Sequence, residues 1–326
     1  MNTADLAFFP VQHSSLHDLY DCMLRTFWTP HEIDYREDRK DWNSLDENTK
    51  NYVKKLLFLF AQLDAYINQN LLGFFVQETS KWKDASHFYS LQGANETIHN
   101  QTYSVLIETF ITDIVEKMKG LDAVKYFPDI RAIADWVTKW MDTKIPLLER
   151  VIAFACIEGI IFSSAFAGIH YLRRRNILKG LLTANEWISR DEALHTKFAV
   201  ELFKMIKTHH SDEYPLPSEE RVHEIVRSSV EVCENFTRNS MNVDLVGLNA
   251  DDMMGYVKTT ADWLITSFGY VSFYNVENPL DWMATFSLQS KANMFENKVT
   301  NYARAALTIE DDNTANEDIN YDSVDF

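Results

Sequence analysis

Cysteine, proline, glycine and positive charge are all scarce in this chain. Its 326 residues include 3 Cys, 7 Pro and 9 Gly, and 31 Lys and Arg face 48 Asp and Glu. Each shortage excludes something. Cys22, Cys156 and Cys233 are too few and too scattered for a disulfide framework or a thiolate zinc site, which fits a reducing, cytoplasmic setting. No proline falls between Pro30 and Pro128, or between Pro146 and Pro215, so those spans can run as long helices. A formal charge of −17 argues against nucleic acid as a partner, because phosphate binding needs a basic surface. The first residues carry no signal-peptide pattern, and convincing strand alternation is absent. The chain reads as all-α and as one domain, 1–310, with a distinct tail.

Helices are predicted at about 14–28, 46–79, 85–112, 129–143, 146–175, 183–209, 218–239 and 250–268, with a charged connector, HEIDYREDRKDWNSL, after Pro30. Thr183 with Glu186 three residues later predicts a capping box at the start of the sixth. The segment VIAFACIEGIIFSSAFAGIHYL, 151–172, imitates a membrane span and is followed by three arginines. Glu158 and His170 within it argue against that, the acid alone costing about 3 kcal/mol near a bilayer centre. A helix apolar all round can instead be the central helix of a bundle. Residues 311–326, DDNTANEDINYDSVDF, hold no Lys or Arg and little apolar content, the composition of a disordered tail.

Glu-x-x-His occurs three times, at Glu96/His99, Glu192/His195 and Glu220/His223. About one match is expected by chance, and the third, in a polar SEERVHE run, looks like that one. The first two differ, because each has a carboxylate upstream in an apolar helix. Asp64 lies 32 residues before Glu96, and Glu158 lies 34 before Glu192. Either interval suits a helix, a turn and an antiparallel helix returning to the same level. Two such pairs facing each other would place four carboxylates and two imidazoles at the centre of a four-helix bundle. Without a counter-charge those carboxylates would repel and lose their solvation. Two metal ions remove that penalty, and an oxygen-and-imidazole ligand set suits iron or manganese. Dinuclear carboxylate proteins on ferritin-like bundles carry this pattern.

The halves match in ligands but not beyond them. Four residues past His99 stands Tyr103; four past His195 stands Ala199. Phe162 and Phe166 follow Glu158 by four and eight residues, and Ile188 precedes Glu192 by four, so a dry pocket is predicted around Tyr103.

With FWTP, LDAYI, ETIHNQTY, CIEGIIFSSAF, ISRDEALH and FENKVTNY spread along it, the chain resembles the small, radical-generating subunit of class I ribonucleotide reductase. The resemblance implies that Asp64, Glu96, His99, Glu158, Glu192 and His195 bind two iron ions, or manganese, and that molecular oxygen is used there to form a tyrosyl radical on Tyr103. It also implies that Trp28, Asp191 and Tyr302 conduct the radical outward. By the residues alone, Trp28 would be a core aromatic and Asp191 a surface acid. The resemblance further implies a homodimer, and docking of the tail to the large subunit that reduces ribonucleotides. The rivals are a ferritin-like iron-storage protein and a di-iron oxidase with a substrate pocket of its own. Neither has a use for Tyr103, Trp28, Tyr302 or the tail.

Overall fold

The computed structural model describes residues 7–241, 245, 247–283 and 286. Among them helices dominate and no strand forms; the only β feature is an isolated bridge between Leu245 and Leu248. In chain order the helices are α1 (Ser14–Arg25), α2 (Asp38–Ser44), α3 (Glu47–Asn70), α4 (Lys83–Phe110), α5 (Ile114–Leu121), α6 (Ala123–Tyr126), α7 (Pro128–Lys139), α8 (Leu147–Cys156), α9 (Lys179–His209), α10 (Glu219–Ser240) and α11 (Ala250–Ser267). Helix α3 continues through a π turn, Leu71–Phe75, to Glu78. Helix α8 continues through a second π turn, Ile157–Ile161, and a further helical stretch, Phe162–His170.

Four of these make the central bundle. Helix α3 returns as α4, α8 returns as α9, and the two pairs pack across each other. Asp46 starts α3 firmly, its carboxylate accepting from the Thr49 amide at 2.8 Å. The segment Leu147–Arg175 has the length and apolarity to cross a membrane, yet its most apolar stretch is wholly enclosed by the other helices. From Arg150 to Leu172 every residue is buried. Burying each Val, Ile, Leu or Phe there contributes about 1.5–3 kcal/mol, enough for one helix to carry Glu158 inside.

Several expected boundaries shift for identifiable reasons. Helix α1 stops at Arg25 rather than 28, where the Thr26 hydroxyl bonds back to the carbonyls of Cys22 and Met23. The expected connector contains α2, and the span before Pro128 contains α5 and α6, all too short to show a helical period. The capping box at Thr183 does not form. Helix α9 begins at Lys179, Thr183 lies inside it bonding the Lys179 carbonyl, and Glu186 pairs with Arg173. The real cap comes from α2: buried Asp38 accepts from the amides of Gly180 at 2.9 Å and Leu181 at 2.6 Å. A side chain 142 residues away thus satisfies the helix end that a local residue was expected to serve.

Candidate metal centre

Helix geometry gathers the six predicted ligands. Asp64 projects from the middle of α3, Glu96 and His99 from successive turns of α4, Glu192 and His195 from successive turns of α9. Glu158 sits in the π turn, whose widened backbone re-aims a side chain relative to an α-helix. None of the six is more than 1% exposed. The third Glu-x-x-His stands apart: His223 meets the Val271 carbonyl at 2.8 Å, far along the chain from the bundle centre.

The six converge. Ligand atoms of Glu96, Glu158, Glu192 and His195 all lie within 4.8 Å of one another. His195 Nδ1 stands 2.7 Å from Glu192 and 3.2 Å from Glu96, so the two helix pairs meet at this imidazole. His99 Nδ1 stands 2.9 Å from Glu192 Oε1 and 3.5 Å from Glu96 Oε2. Neither His99 Nδ1 nor Glu192 Oε1 makes an aligned hydrogen bond, and neither do Asp64 Oδ2, Glu96 Oε2 or Glu158 Oε2. Five buried ligand atoms thus lack an aligned hydrogen bond, in a region where unsatisfied polar groups are costly.

Electrostatics show how the polypeptide holds this cluster by itself. Burial, reinforced by Glu96, pushes the Asp64 carboxyl well above its usual range. Burial with Glu192 and Glu96 does the same to Glu158. Burial disfavours charge on His195, but Glu192 outweighs it and the imidazole rises to about 9. His99 is likewise raised, Glu192 and the bond to Asp191 overcoming desolvation. Glu192 is the carboxylate held low against its own burial, by both imidazoles. The cluster therefore balances itself by keeping protons. Metal cations would take over that role, and the hard oxygen and imidazole donors fit two of them.

Tyr103 is 1% exposed and its hydroxyl has no hydrogen-bond partner. Burial, ahead of the Asp64 and Glu192 carboxylates, holds its phenol well above the usual range, so it stays protonated. The ring stacks on Phe60 at 4.6 Å with the planes 1° apart. Phe60 in turn packs on Phe162 at 5.4 Å and Phe166 at 5.0 Å. Ile188 is buried on α9, one turn before Glu192. Phe60 is the ring lying against Tyr103, and the expected Phe162 and Phe166 pack on Phe60. Phe60 precedes Asp64 by four residues, the same helical spacing by which Phe162 follows Glu158.

By the residues alone Trp28 is a core aromatic and Asp191 a surface acid; the fold joins them. Trp28 donates its indole N–H to Asp191 Oδ2 at 2.7 Å, and the same oxygen meets His99 Nε2 at 3.2 Å. Asp191 is 2% exposed and the Trp28 ring lies 6.0 Å from the imidazole. Gln92, which had no expected part, is fully buried and donates from Nε2 to Glu96 at 3.3 Å and Glu158 at 3.2 Å. Its position four before Glu96 was the available signal. Tyr302 and the tail 311–326 lie outside the described residues.

The fold and the site define a ferritin-like helical protein with a buried carboxylate–imidazole centre. A family profile described as "Ribonucleotide reductase, small chain" matches residues 5–279. The ribonucleoside-diphosphate reductase small chain of Variola virus is 38% identical over 313 residues, 96% of each chain. That of Nicotiana tabacum is 38% identical over 299 residues, 92% of this chain and 88% of its own. The ribonucleotide reductase Rnr4 homodimer from Saccharomyces cerevisiae superposes with a TM-score of 0.73 at 26% identity, over 91% of this chain and 89% of that one. This chain belongs to the ribonucleotide reductase small-chain family and is an oxidoreductase subunit.

Proposed function

We propose that Asp64, Glu96, His99, Glu158, Glu192 and His195 hold two iron ions, or two manganese ions, and that Tyr103 carries a stable radical which this subunit delivers to a large subunit for ribonucleotide reduction. When bound, the metal pair would supply the oxygen-dependent oxidation that takes an electron and a proton from the Tyr103 phenol. The polypeptide does the rest. Phe60, Phe162, Phe166 and Ile188 keep water from the ring, and the missing partner at the Tyr103 hydroxyl leaves nothing there to quench it. Asp191 fixes His99 from behind and links it to Trp28, giving the oxidising equivalent a bonded way out of the bundle as an electron moves in. Tyr302 continues that route, and the acidic tail docks the large subunit. The chain works as a homodimer, as the yeast relative is described, and its few, scattered cysteines suit a cytoplasmic setting.

The observation that carries this reading is the line Trp28–Asp191–His99, which a storage protein or a self-contained oxidase does not need. The test is reconstitution of the metal-free protein with iron and oxygen, followed by electron paramagnetic resonance. Wild type should show a tyrosyl signal that Tyr103→Phe lacks. A metal-loaded wild type giving no radical with either metal refutes the assignment.

A further inference from the structure

Resting on that reading of the radical route, we propose that Trp187 is the carrier next after Trp28, passing it the electron that enters from the large subunit. Trp187 stands on α9 one turn before Asp191, so both side chains leave the helix on one face. Trp28 meets that face twice. Its N–H bonds Asp191 at 2.7 Å, and its ring meets the Trp187 ring edge-on, centroids 5.3 Å apart and planes at 65°. Among the described residues the ring contacts of Trp28 are with His99, at 6.0 Å, and with Trp187. The first is one of the six ligands; the second is another readily oxidised indole with no other part in the site. Arg190 fastens the arrangement. Its Nη2 donates to the Thr26 carbonyl at 2.8 Å and to Asp191 Oδ1 at 3.2 Å, tying the segment before Trp28 to α9. Ring contact alone is no sign of conduction, since Trp136 and Trp140 pair at 5.9 Å at the end of α7. What sets Trp28 apart is its bond to Asp191 and, through that oxygen, to His99.

The step moves one electron and no proton. Trp187 gives an electron to oxidised Trp28, which returns to its closed shell with the N–H still bonded to Asp191. Trp187 is left as the cation radical until a redox-active side chain of the large subunit reduces it. The Asp191 carboxylate favours positive charge on Trp28, so the hole rests there and reaches Trp187 only in transit. The hop depends on ring contact within one chain, so a second copy packed nearby leaves it intact.

The experiment uses the full chain loaded with iron and oxygen, mixed with the large subunit and an azido-substituted substrate nucleotide that traps the radical irreversibly. The rate is read from loss of the tyrosyl resonance. Trp187 is replaced by a series of fluorinated tryptophans, which keep its shape and are progressively harder to oxidise. A fluorine pattern that raises the ring's potential by about 60 mV should lower the population of oxidised Trp187, and with it the rate, about tenfold. Trp187→Phe should be slower still. The same series at Trp136 is the control and should change nothing. The tyrosyl yield before mixing and the thermal midpoint should match wild type in every fluorinated chain. A rate that stays flat across the series overturns the relay even if Trp187→Phe is slow, because a ring that only packs against Trp28 has no reason to follow potential. A wild type with no tyrosyl resonance would instead sink the metal-centre reading, and one whose resonance survives the large subunit would sink radical delivery.

Discussion

Phe60 is where the proposed protection of Tyr103 can be separated from ordinary core packing. It is fully buried, stacks on Tyr103 at 4.6 Å and holds Phe162 and Phe166 behind it. Phe60→Ala removes the ring from a site that helices on every side prevent from collapsing. The expected loss of stability is about 3–5 kcal/mol from transfer and cavity terms together. Lost stacking adds about 0.5–1.5 kcal/mol. Phe60→Leu keeps most of the volume and should cost about 1–2 kcal/mol. The two variants differ more in chemistry than in stability. A space of about 30 Å³ admits a water only where polar partners await it. Here the Tyr103 hydroxyl and Asp64 Oδ2 both lack partners, so the alanine cavity should hydrate. Urea melts of the metal-free variants give the stability loss, and decay of the tyrosyl resonance at fixed temperature gives the lifetime. The alanine radical should decay severalfold faster than the leucine one. If the alanine variant is destabilised as expected but its radical lasts as long as wild type, Phe60 is plain core and the sealing argument fails.

The remaining expectations are shorter. Asp191→Ala leaves the buried Trp28 N–H unpaired, costing about 1–3 kcal/mol; the radical should still form while turnover with the large subunit is lost, and retained turnover would break the proposed line. Asp38→Ala orphans the amides of Gly180 and Leu181, so stability should fall by about 1–2 kcal/mol with faster hydrogen exchange confined to the first turn of α9; exchange spread evenly along α9 would contradict the cap. Glu158→Gln removes a carboxyl that burial and its neighbours already hold protonated, so the metal-free protein should melt no lower than wild type while metal content drops; a large loss of metal-free stability would mean that Glu158 serves the fold. Deleting 311–326 should spare the radical and abolish turnover with the large subunit, measured by deoxyribonucleotide formation.

What the sequence revealed followed from signals that live within one helix. Asp64 and Glu158 stood out because an acid in an apolar helix must be compensated, and the paired Glu-x-x-His spacing said by what. What it hid depends on partners distant in the chain. Trp28 and Asp191 are 163 residues apart, and no local pattern marks an indole N–H as belonging to a particular carboxylate. The start of α9 is hidden for the same reason, because its cap arrives from α2. The π turns were invisible too. Ile157–Ile161 differs from an α-helix by a wider hydrogen-bonded ring, and IEGII has no composition that demands it.

The duplication of ligands is only half of the design, because the two imidazoles face different surroundings. Behind His99 stand Asp191 at 3.2 Å and the Trp28 ring, so its far nitrogen is bonded outward. Behind His195 stands Phe88, edge-on at 6.3 Å and itself stacked on Phe198, and its Nε2 has no hydrogen-bond partner. Two otherwise matched ligands are thus given one polar exit and one apolar wall. Tyr103 lies on the same helix as the His99 that has the exit, four residues further on, where the other half has Ala199. A storage site has no need to distinguish its halves in this way. A site that must oxidise one side chain and release the oxidising equivalent in one direction does, and Tyr103 on α4, Asp191 on α9 and Trp28 together make the distinction.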